Sequence, residues 1–299
     1  MSMDAGRKKA VLLAGASGCM WGTIGLFVHF MKRYGIDSVE LTVGRFLIAT
    51  LFTGVYLLIT RRELLKIRLR DLPGLLAAGL LCLLLFNVSY GIAIEKSSMS
   101  AAAVMLYTSP AFVTVISCVC FREKITWRKG IAVVLSVVGC AFVSGIMSGF
   151  LTYQASAYFW GFCAAAGYAS YSIVAGILLK RYHAATVLFY AFLFAACGGC
   201  LFADVRGTAE IVCQNPAAGI GMVGAALVCN VISYLCYNLA LKYAEASRVA
   251  VIASIEPAAA SVLGAIFLKE HIDSFGMAGI ICILSAVIIL NTSGKEKAE

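Results

Sequence analysis

Charged residues are scarce in this chain of 299 residues. Asp, Glu, Lys and Arg make up 13% of the sequence, whereas 62% of the residues are hydrophobic, and the mean hydropathy is +0.93. A soluble globule of this length could not bury so much apolar surface. The composition therefore excludes the soluble classes of protein and predicts a chain that lies in a lipid bilayer.

The residues and motifs that usually build enzyme sites are also scarce. The chain has three histidines, and His29, His183 and His271 all lie near the ends of apolar segments. No Asp lies well inside an apolar segment, so a buried acid–base or metal cluster is hard to assemble. The Gly-x-x-x-x-Gly-Lys-Ser/Thr motif of ATPases is absent from the sequence. We therefore expect no catalytic residues, no cofactor and no metal.

Long apolar runs dominate what remains. Ten segments are long enough to cross about 30 Å of hydrocarbon as helices, at about 1.5 Å per residue. The predicted spans are 11–31, 39–60, 72–94, 101–121, 131–147, 157–179, 184–204, 217–241, 247–268 and 275–291. No connection exceeds about 12 residues, which leaves no room for a soluble domain. The sequence predicts an all-α membrane protein with ten transmembrane helices.

The first half of the chain repeats in the second half at an offset of 147 residues. Identical residues align across the two copies, among them Tyr90 with Tyr237, Pro110 with Pro257 and Glu123 with Glu270. Each copy, 1–147 and 148–299, contains five predicted spans. Because five is odd, the second copy starts on the other side of the bilayer, and the sequence predicts two inverted five-helix repeats.

Basic residues are distributed unevenly between alternate loops. The N-terminal tail, the C-terminal tail and the loops 61–71, 122–130, 180–183 and 242–248 contain 18 Lys and Arg residues, whereas the alternate loops contain 5. The positive-inside rule then places both termini in the cytoplasm. This topology explains the net charge of +9, so no nucleic-acid partner is expected.

Two charged residues lie clearly inside predicted spans, Arg45 in the second and Glu256 in the ninth. A charge at that depth costs at least a few kcal/mol, so each one needs a reason. Glu256 either binds a cationic group or carries a coupling proton, or it satisfies donors at a helix kink. For Arg45, snorkelling to the headgroups, a structural ion pair and contact with a ligand carboxylate all remain open.

Two prolines occupy matching positions in the two copies. Pro110 lies in the fourth span and Pro257 in the ninth. Proline removes a helical hydrogen bond and disfavours α geometry at the residue before it, so we expect both helices to break near the middle of the bilayer. Paired breaks of this kind indicate a central binding site.

Aromatic and amide side chains gather at helical spacing in the middle of several spans. Trp21 and its repeat partner Tyr168 are central, whereas membrane tryptophans usually collect at the interfaces. The rest of the predicted cavity lining is Asn87, Tyr90, Tyr107, Tyr171, Asn230, Tyr234, Tyr237 and Asn238. Together these residues predict a midplane cavity for a small ligand, although interhelical hydrogen bonding or packing explains any one of them equally well.

One pattern resembles a known family. Tyr107-Thr-Ser-Pro110 is followed thirteen residues later by Glu123, and Ser254-Ile-Glu-Pro257 thirteen later by Glu270. This layout resembles the EamA-like domain of the drug/metabolite transporter superfamily, and two such domains would cover nearly the whole chain. The resemblance implies a carrier of the bacterial cytoplasmic membrane, commonly for amino acids or other small metabolites and often an exporter. It also implies that Glu123 and Glu270 are structural acids at helix ends.

The sequence thus predicts a secondary transporter of a small polar metabolite that works by alternating access. Amino acids are the leading substrates, and proton coupling is left open. The expected partners are the metabolite and the lipid bilayer, with the chain a monomer or a weak dimer. A channel and a non-transporting sensor are the alternatives, and an intramembrane enzyme is a weaker one.

Overall fold

The computed structural model describes residues 3–97, 99–143, 153–269 and 273–292, and this part of the chain is helical, without β-strands. The helices of the first half are α1 (Met3–Gly22), α2 (Ile24–Lys32), α3 (Ser38–Thr60), α4 (Leu72–Leu76), α5 (Leu85–Lys96), α6 (Met99–Leu106), α7 (Ser109–Phe121) and α8 (Trp127–Val143). A π-helical segment, Ala77–Leu84, joins α4 to α5. The loop before α4 contains two 3₁₀ turns, Arg62–Leu65 and Leu69–Asp71.

The second half follows the same plan. Its helices are α9 (Ala155–Leu178), α10 (Ala184–Gly199), α11 (Val205–Gln214), α12 (Pro216–Ala225), α13 (Ser233–Tyr243), α14 (Ala246–Ala253), α15 (Glu256–Leu263) and α16 (Ser274–Thr292). One π-helical segment, Ala226–Ile232, joins α12 to α13, and another, Gly264–Leu268, extends α15.

Six helical stretches are long and apolar enough to cross a bilayer. They are Gly6–Lys32, Ser38–Thr60, Leu69–Ala93, Ala155–Leu178, Pro216–Tyr243 and Ala246–Leu268. The other four predicted spans correspond to shorter helices or to the broken pair α6 and α7. The chain is therefore a multi-pass membrane protein, while the total of ten spans stays a prediction.

Helix breaks and helix ends fall at equivalent residues in the two halves of the chain. Adding 147 to the bounds of α6 gives those of α14, and the same shift takes Ser109 at the start of α7 to Glu256 at the start of α15. Arg122 and Lys269, which have left-handed φ angles of 56° and 57°, are also separated by 147 residues. The repeat read from the sequence is therefore also a repeat of backbone structure.

The expected breaks in the fourth and ninth spans are confirmed. α6 ends at Leu106 and α7 starts at Ser109. Likewise, α14 ends at Ala253 and α15 starts at Glu256. In both pairs the second helix has the proline in its first turn. A proline is well tolerated in a first turn because its missing N–H would have no helical partner there. Each break therefore lies just before the proline, as its chemistry requires.

Some helix bounds differ from the predicted spans. The first span is interrupted between α1 and α2, where the Thr23 hydroxyl donates to the Met20 carbonyl oxygen at 2.7 Å. A hydroxyl that bonds its own backbone competes with regular helix geometry, and the hydropathy of a span carries no sign of that competition. The seventh span ends at Gly199 and not at 204, and the helix of the fifth span starts at Trp127 and not at 131.

The segment 205–216 was predicted to be a loop, and this was wrong, because it contains the amphipathic helix α11. Asp204 caps this helix by accepting a hydrogen bond from the backbone N–H of Gly207 at 2.9 Å. Ile211 and Val212 pack beside Met31 in an apolar cluster. A ten-residue helix with one polar face is too short and too polar to be recognised as a span.

Small residues let α1 approach the break between α14 and α15. A Cβ atom on Gly18 would lie 2.4 Å from the Ala253 carbonyl oxygen, and one on Gly22 would lie 3.0 Å from the Glu256 carbonyl oxygen. These distances leave no room for a side chain, so the backbones of α1 and the broken ninth span are in direct contact. The first span is thus positioned against the central break of the second half.

Candidate functional site

The predicted aromatic residues of three helices meet at the centre of the bundle. The ring centroid of Trp21 lies 5.0 Å from that of Tyr234, 5.2 Å from that of Tyr237 and 6.0 Å from that of Tyr168. The Trp21 indole N–H donates to the backbone carbonyl oxygen of Cys229 at 3.0 Å. α1, α9 and α13 therefore bring together the rings that sequence analysis placed in one cavity.

Hydrogen bonds link residues of this aromatic cluster on α9 to residues on α13. The Tyr171 hydroxyl donates to the Asn238 amide oxygen at 3.2 Å, and the hydroxyls of Ser172 and Tyr237 are 2.6 Å apart. Asn87 instead donates to a carbonyl oxygen of the preceding turn of its own helix. For these polar side chains, interhelical and local hydrogen bonding is thus observed directly, and any contact with a ligand would be additional.

The cavity within the aromatic cluster is small. Between Trp21, Tyr168 and Tyr234 there is space for about one water molecule. Edge-to-face ring packing fills the rest, as in a protein core. Five of the residues predicted to line the cavity do line this space, and it does not have the predicted size in this conformation; the five are Trp21, Tyr168, Tyr171, Tyr234 and Tyr237. The predicted residues Asn87, Tyr90, Tyr107, Asn230 and Asn238 are not part of its lining. Asn230, which belongs to the π-helical segment before α13, is also buried, at 2% exposure.

A second group of predicted residues surrounds Glu256 at the start of α15. The Tyr107 hydroxyl forms a hydrogen bond with the Glu256 carboxyl group. Tyr90, Tyr107, Tyr168 and Glu256 are each half-buried, whereas Trp21 is only 6% exposed. The predicted site thus has a partly accessible region around Glu256 and a closed region around Trp21.

The groups that face Glu256 are neutral at pH 7. In the described part of the chain, its interacting ionisable neighbours are Tyr90, Tyr107, Cys140, Tyr168, Cys229 and Tyr234. No lysine or arginine is among these neighbours. The carboxyl group is therefore not held in an ion pair and is available to a cation or a proton.

Arg45 is turned into the bundle. Its side chain is 5% exposed, its Nη2 donates to the Thr42 hydroxyl at 3.1 Å, and its buried Nε has no partner. The guanidinium interacts with Cys229 and Tyr234 across the interface with the second half. Snorkelling is therefore wrong for this residue, because α3 presents it to the π-helical segment and not to lipid. A structural ion pair is not found among the residues that the structure describes.

Glu123 has the structural role that the family resemblance implied. One of its carboxylate oxygens accepts a hydrogen bond from the backbone N–H of Ala246 at 3.0 Å, and the other accepts from the Ser247 hydroxyl. Lys129 lies 3.4 Å from the same carboxylate. Glu123 therefore caps α14 from across the bundle. Its repeat partner, Glu270, lies outside the described residues.

Loops that were predicted to share the cytoplasmic face contact one another. Lys129 forms an ion pair with Glu245 at 2.7 Å, which joins loops 122–130 and 242–248. Asp71 accepts hydrogen bonds from Arg181 at 2.5 Å and from Tyr182 at 2.7 Å, which joins loops 61–71 and 180–183. These ion pairs and hydrogen bonds connect the two halves of the chain at one end of the bundle.

Three members of the site were not predicted from the sequence. Cys229 accepts the Trp21 hydrogen bond through its carbonyl group, Ser172 bonds Tyr237, and Phe86 lies 5.5 Å from Tyr168 between ring centroids. A signal for Cys229 was present, because its repeat partner at an offset of 147 is Cys82, which belongs to the same core cluster. Identical residues in both copies were a better guide than polarity.

Known proteins resemble the chain over nearly its whole length. The EamA-like transporter family matches it twice, over residues 8–145 and 155–292. It is 24% identical to the uncharacterized transporter YxxF of Bacillus subtilis (strain 168), over 98% of this chain and 93% of the relative. It is 22% identical to the uncharacterized inner membrane transporter YicL of Salmonella typhimurium, over 98% of each chain. A crystal structure with 13% identity shares the fold, with a TM-score of 0.79 over 94% of this chain and 96% of the other.

Proposed function

Because the chain belongs to the EamA-like transporter family, we propose that it is a secondary transporter that moves a small polar metabolite by alternating access. The observation that carries the proposal is the pair of helix breaks, one between α6 and α7 and one between α14 and α15, at equivalent residues of the two halves. Broken helices at mid-depth offer backbone polar groups to a ligand and place its site between the repeats.

The substrate path in this proposal includes both parts of the site. A solute contacts Glu256 and the tyrosines around it, which are partly accessible. It also contacts the closed aromatic cluster around Trp21, whose rings must separate to let the solute pass. Amino acids are the leading substrates because they combine an ammonium group for the Glu256 carboxylate with side chains that pack on aromatic rings. Export from the cytoplasm is the proposed direction, and a proton carried by Glu256 is the proposed coupling.

The ion pairs and hydrogen bonds at one end of the bundle support a mechanism of alternating access. The ion pair of Lys129 with Glu245 and the contacts of Asp71 hold the two halves together at the end that carries most of the basic loop residues. We take this end to be cytoplasmic, with the repeats inverted relative to each other. In this mechanism the contacts break when the cytoplasmic end opens. The closed aromatic cluster favours a carrier over a channel, because no metabolite-sized pore passes through it.

Counterflow in proteoliposomes tests the proposed function. Ligands are first found by thermal shift of the purified protein against a metabolite panel, since a ligand that binds the folded state stabilises it by RT ln(1 + [L]/Kd). For a carrier, vesicles preloaded with an unlabelled ligand take up the labelled ligand faster than empty vesicles do, and uptake saturates. Flux that rises linearly with ligand concentration and is the same in preloaded and empty vesicles would indicate a pore.

Cysteine labelling tests the inverted topology. Arg122 and Lys269 are exposed and repeat-equivalent, so single cysteines there, in a background without reactive native thiols, are expected to react with a membrane-impermeant maleimide from opposite sides. A cysteine at Lys124 is the control, because it belongs to the same loop as Arg122 and should label from the same side. Labelling of positions 122 and 269 from one side would contradict the inversion.

A further inference from the structure

We infer that Arg45 forms a carboxylate-binding subsite, so that the substrates of this protein are solutes that bring a carboxylate group. The inference deepens the proposed transport function and rests on it. It starts from one observation, a buried guanidinium whose Nε has no partner and whose neighbours Thr42, Cys229 and Tyr234 carry no opposite charge.

The surroundings of Arg45 leave part of its hydrogen-bonding capacity unused. A guanidinium carries five N–H donors. The Nη2 of Arg45 donates to the hydroxyl of Thr42, one turn earlier in α3, and the side chain also forms a hydrogen bond with the Cys229 thiol, whereas the buried Nε has no partner. No carboxylate oxygen lies within 4.0 Å of its nitrogen atoms in the residues that the structure describes. The side chain is also 5% exposed, so bulk water does not replace the missing partners.

The chemistry of the guanidinium selects the class of ligand. Its planar fork matches a carboxylate with two parallel N–H···O bonds, and such pairs are strongest where water is excluded. The protein groups beside it, the Cys229 thiol and the Tyr234 hydroxyl, are neutral at pH 7. An incoming carboxylate would therefore supply the one charge that this place lacks.

Arg45 and Glu256 share two neighbouring side chains, which bears on where the rest of the ligand lies. Cys229 and Tyr234 interact with Arg45, and both also interact with Glu256. The guanidinium and the carboxyl group thus lie near the same two side chains, one of which, Tyr234, belongs to the aromatic cluster. A zwitterion can place its carboxylate at Arg45 and its ammonium group toward Glu256. Because the space between the rings has room for only about one water molecule, the carboxylate reaches Arg45 only when the rings separate.

The first test measures the stability of the protein without a ligand. Arg45→Met keeps the length of the side chain and removes its charge, and we expect an unchanged or higher melting temperature in purified protein, because an uncompensated buried charge is lost. The control is Arg206→Met, since Arg206 is 91% exposed in a surface pair with Glu210, and it should also leave the melting temperature unchanged. A melting temperature for Arg45→Met that is clearly below those of the wild type and of Arg206→Met would assign Arg45 a structural role and overturn the inference.

The second test compares ligands in matched pairs. The probes are the standard L-amino acids and, for each, the amine that lacks only the carboxylate, for example L-leucine with isoamylamine and L-phenylalanine with phenethylamine. We expect a carboxylate probe to raise the melting temperature of the wild type, its amine to have little effect, and Arg45→Met to bind the acid at least about tenfold more weakly. Arg45→Lys keeps the charge without the planar fork, so it should fold normally and bind with intermediate affinity.

Three results would overturn the inference: an amine that stabilises the wild type as well as its parent acid, an unchanged affinity in Arg45→Met, or no stabilisation by any carboxylate. The proposed transport function is judged separately. Saturable counterflow of a solute without a carboxylate would discard the inference and keep the transporter. Uptake that shows neither saturation nor counterflow with any solute would discard the transporter as well.

Discussion

Replacing Glu256 by glutamine is expected to reduce transport at least about tenfold while leaving the protein folded. The amide keeps the shape of the side chain and can still accept the hydrogen bond from Tyr107, but it can neither attract an ammonium group nor carry a proton. Because the described neighbours of Glu256 are neutral tyrosines and cysteines, no other acid beside it can take over that charge.

The measurement is proteoliposome uptake between about pH 5 and 8, the range in which a perturbed acid titrates. The wild type is expected to show a pH response that Glu256→Gln lacks. Tyr107→Phe is the matched control, because it removes the hydrogen bond and keeps the carboxyl group, and it should have the smaller effect. Full activity of Glu256→Gln with an unchanged pH response would mean that Glu256 only satisfies donors at the helix break.

Gly18→Ala is expected to destabilise the protein by about 1–3 kcal/mol. The added Cβ atom would lie 2.4 Å from the carbonyl oxygen of Ala253, where α14 ends. A backbone carbonyl cannot swing away as a flexible side chain can, so α1 or the broken ninth span has to move. Transport should fall as well, because α1 carries Trp21 into the aromatic cluster.

Gly15→Ala is the matched control for this prediction. Gly15 lies in the same helix, and nothing lies within 4 Å of the place where its Cβ atom would be. The substitution should be neutral or stabilising by up to about 1 kcal/mol, because alanine is the better helix former. Thermal unfolding of both variants in detergent measures the difference. Equal melting temperatures would show that α1 is not held against the break as tightly as the structure indicates.

The sequence by itself determined the class of protein, the repeat and the two proline breaks. Each of these rests on local or additive physics. The apolar length of a segment decides whether it can cross a bilayer. Pro110 and Pro257 lack the N–H that a continuous helix needs, whatever lies around them. The offset of 147 residues was also readable directly, and the equal bounds of α6 and α14 follow it.

Other features depended on contacts between helices that are distant in sequence. Arg45 was as consistent with lipid headgroups as with the interior, because hydropathy does not show how a helix is rotated about its axis. Only the packing of α3 against the π-helical segment after α12 decided that it points inward. The local hydrogen bond of Thr23 and the packing of α11 beside Met31 were also not visible in the composition of those segments.

The candidate site, too, was determined in part by the sequence and in part only by the tertiary structure. The sequence named Trp21, Tyr168, Tyr234 and Tyr237 as a set, because central aromatic residues at helical spacing stand out in an apolar span. It could not determine how much space their rings leave, since that depends on rotamers and on distances between α1, α9 and α13. The tertiary structure alone decided that these rings are packed together, because they contact one another across helices that are distant in sequence. It also decided that Glu256 stays partly accessible, because exposure depends on how the neighbouring helices pack around it.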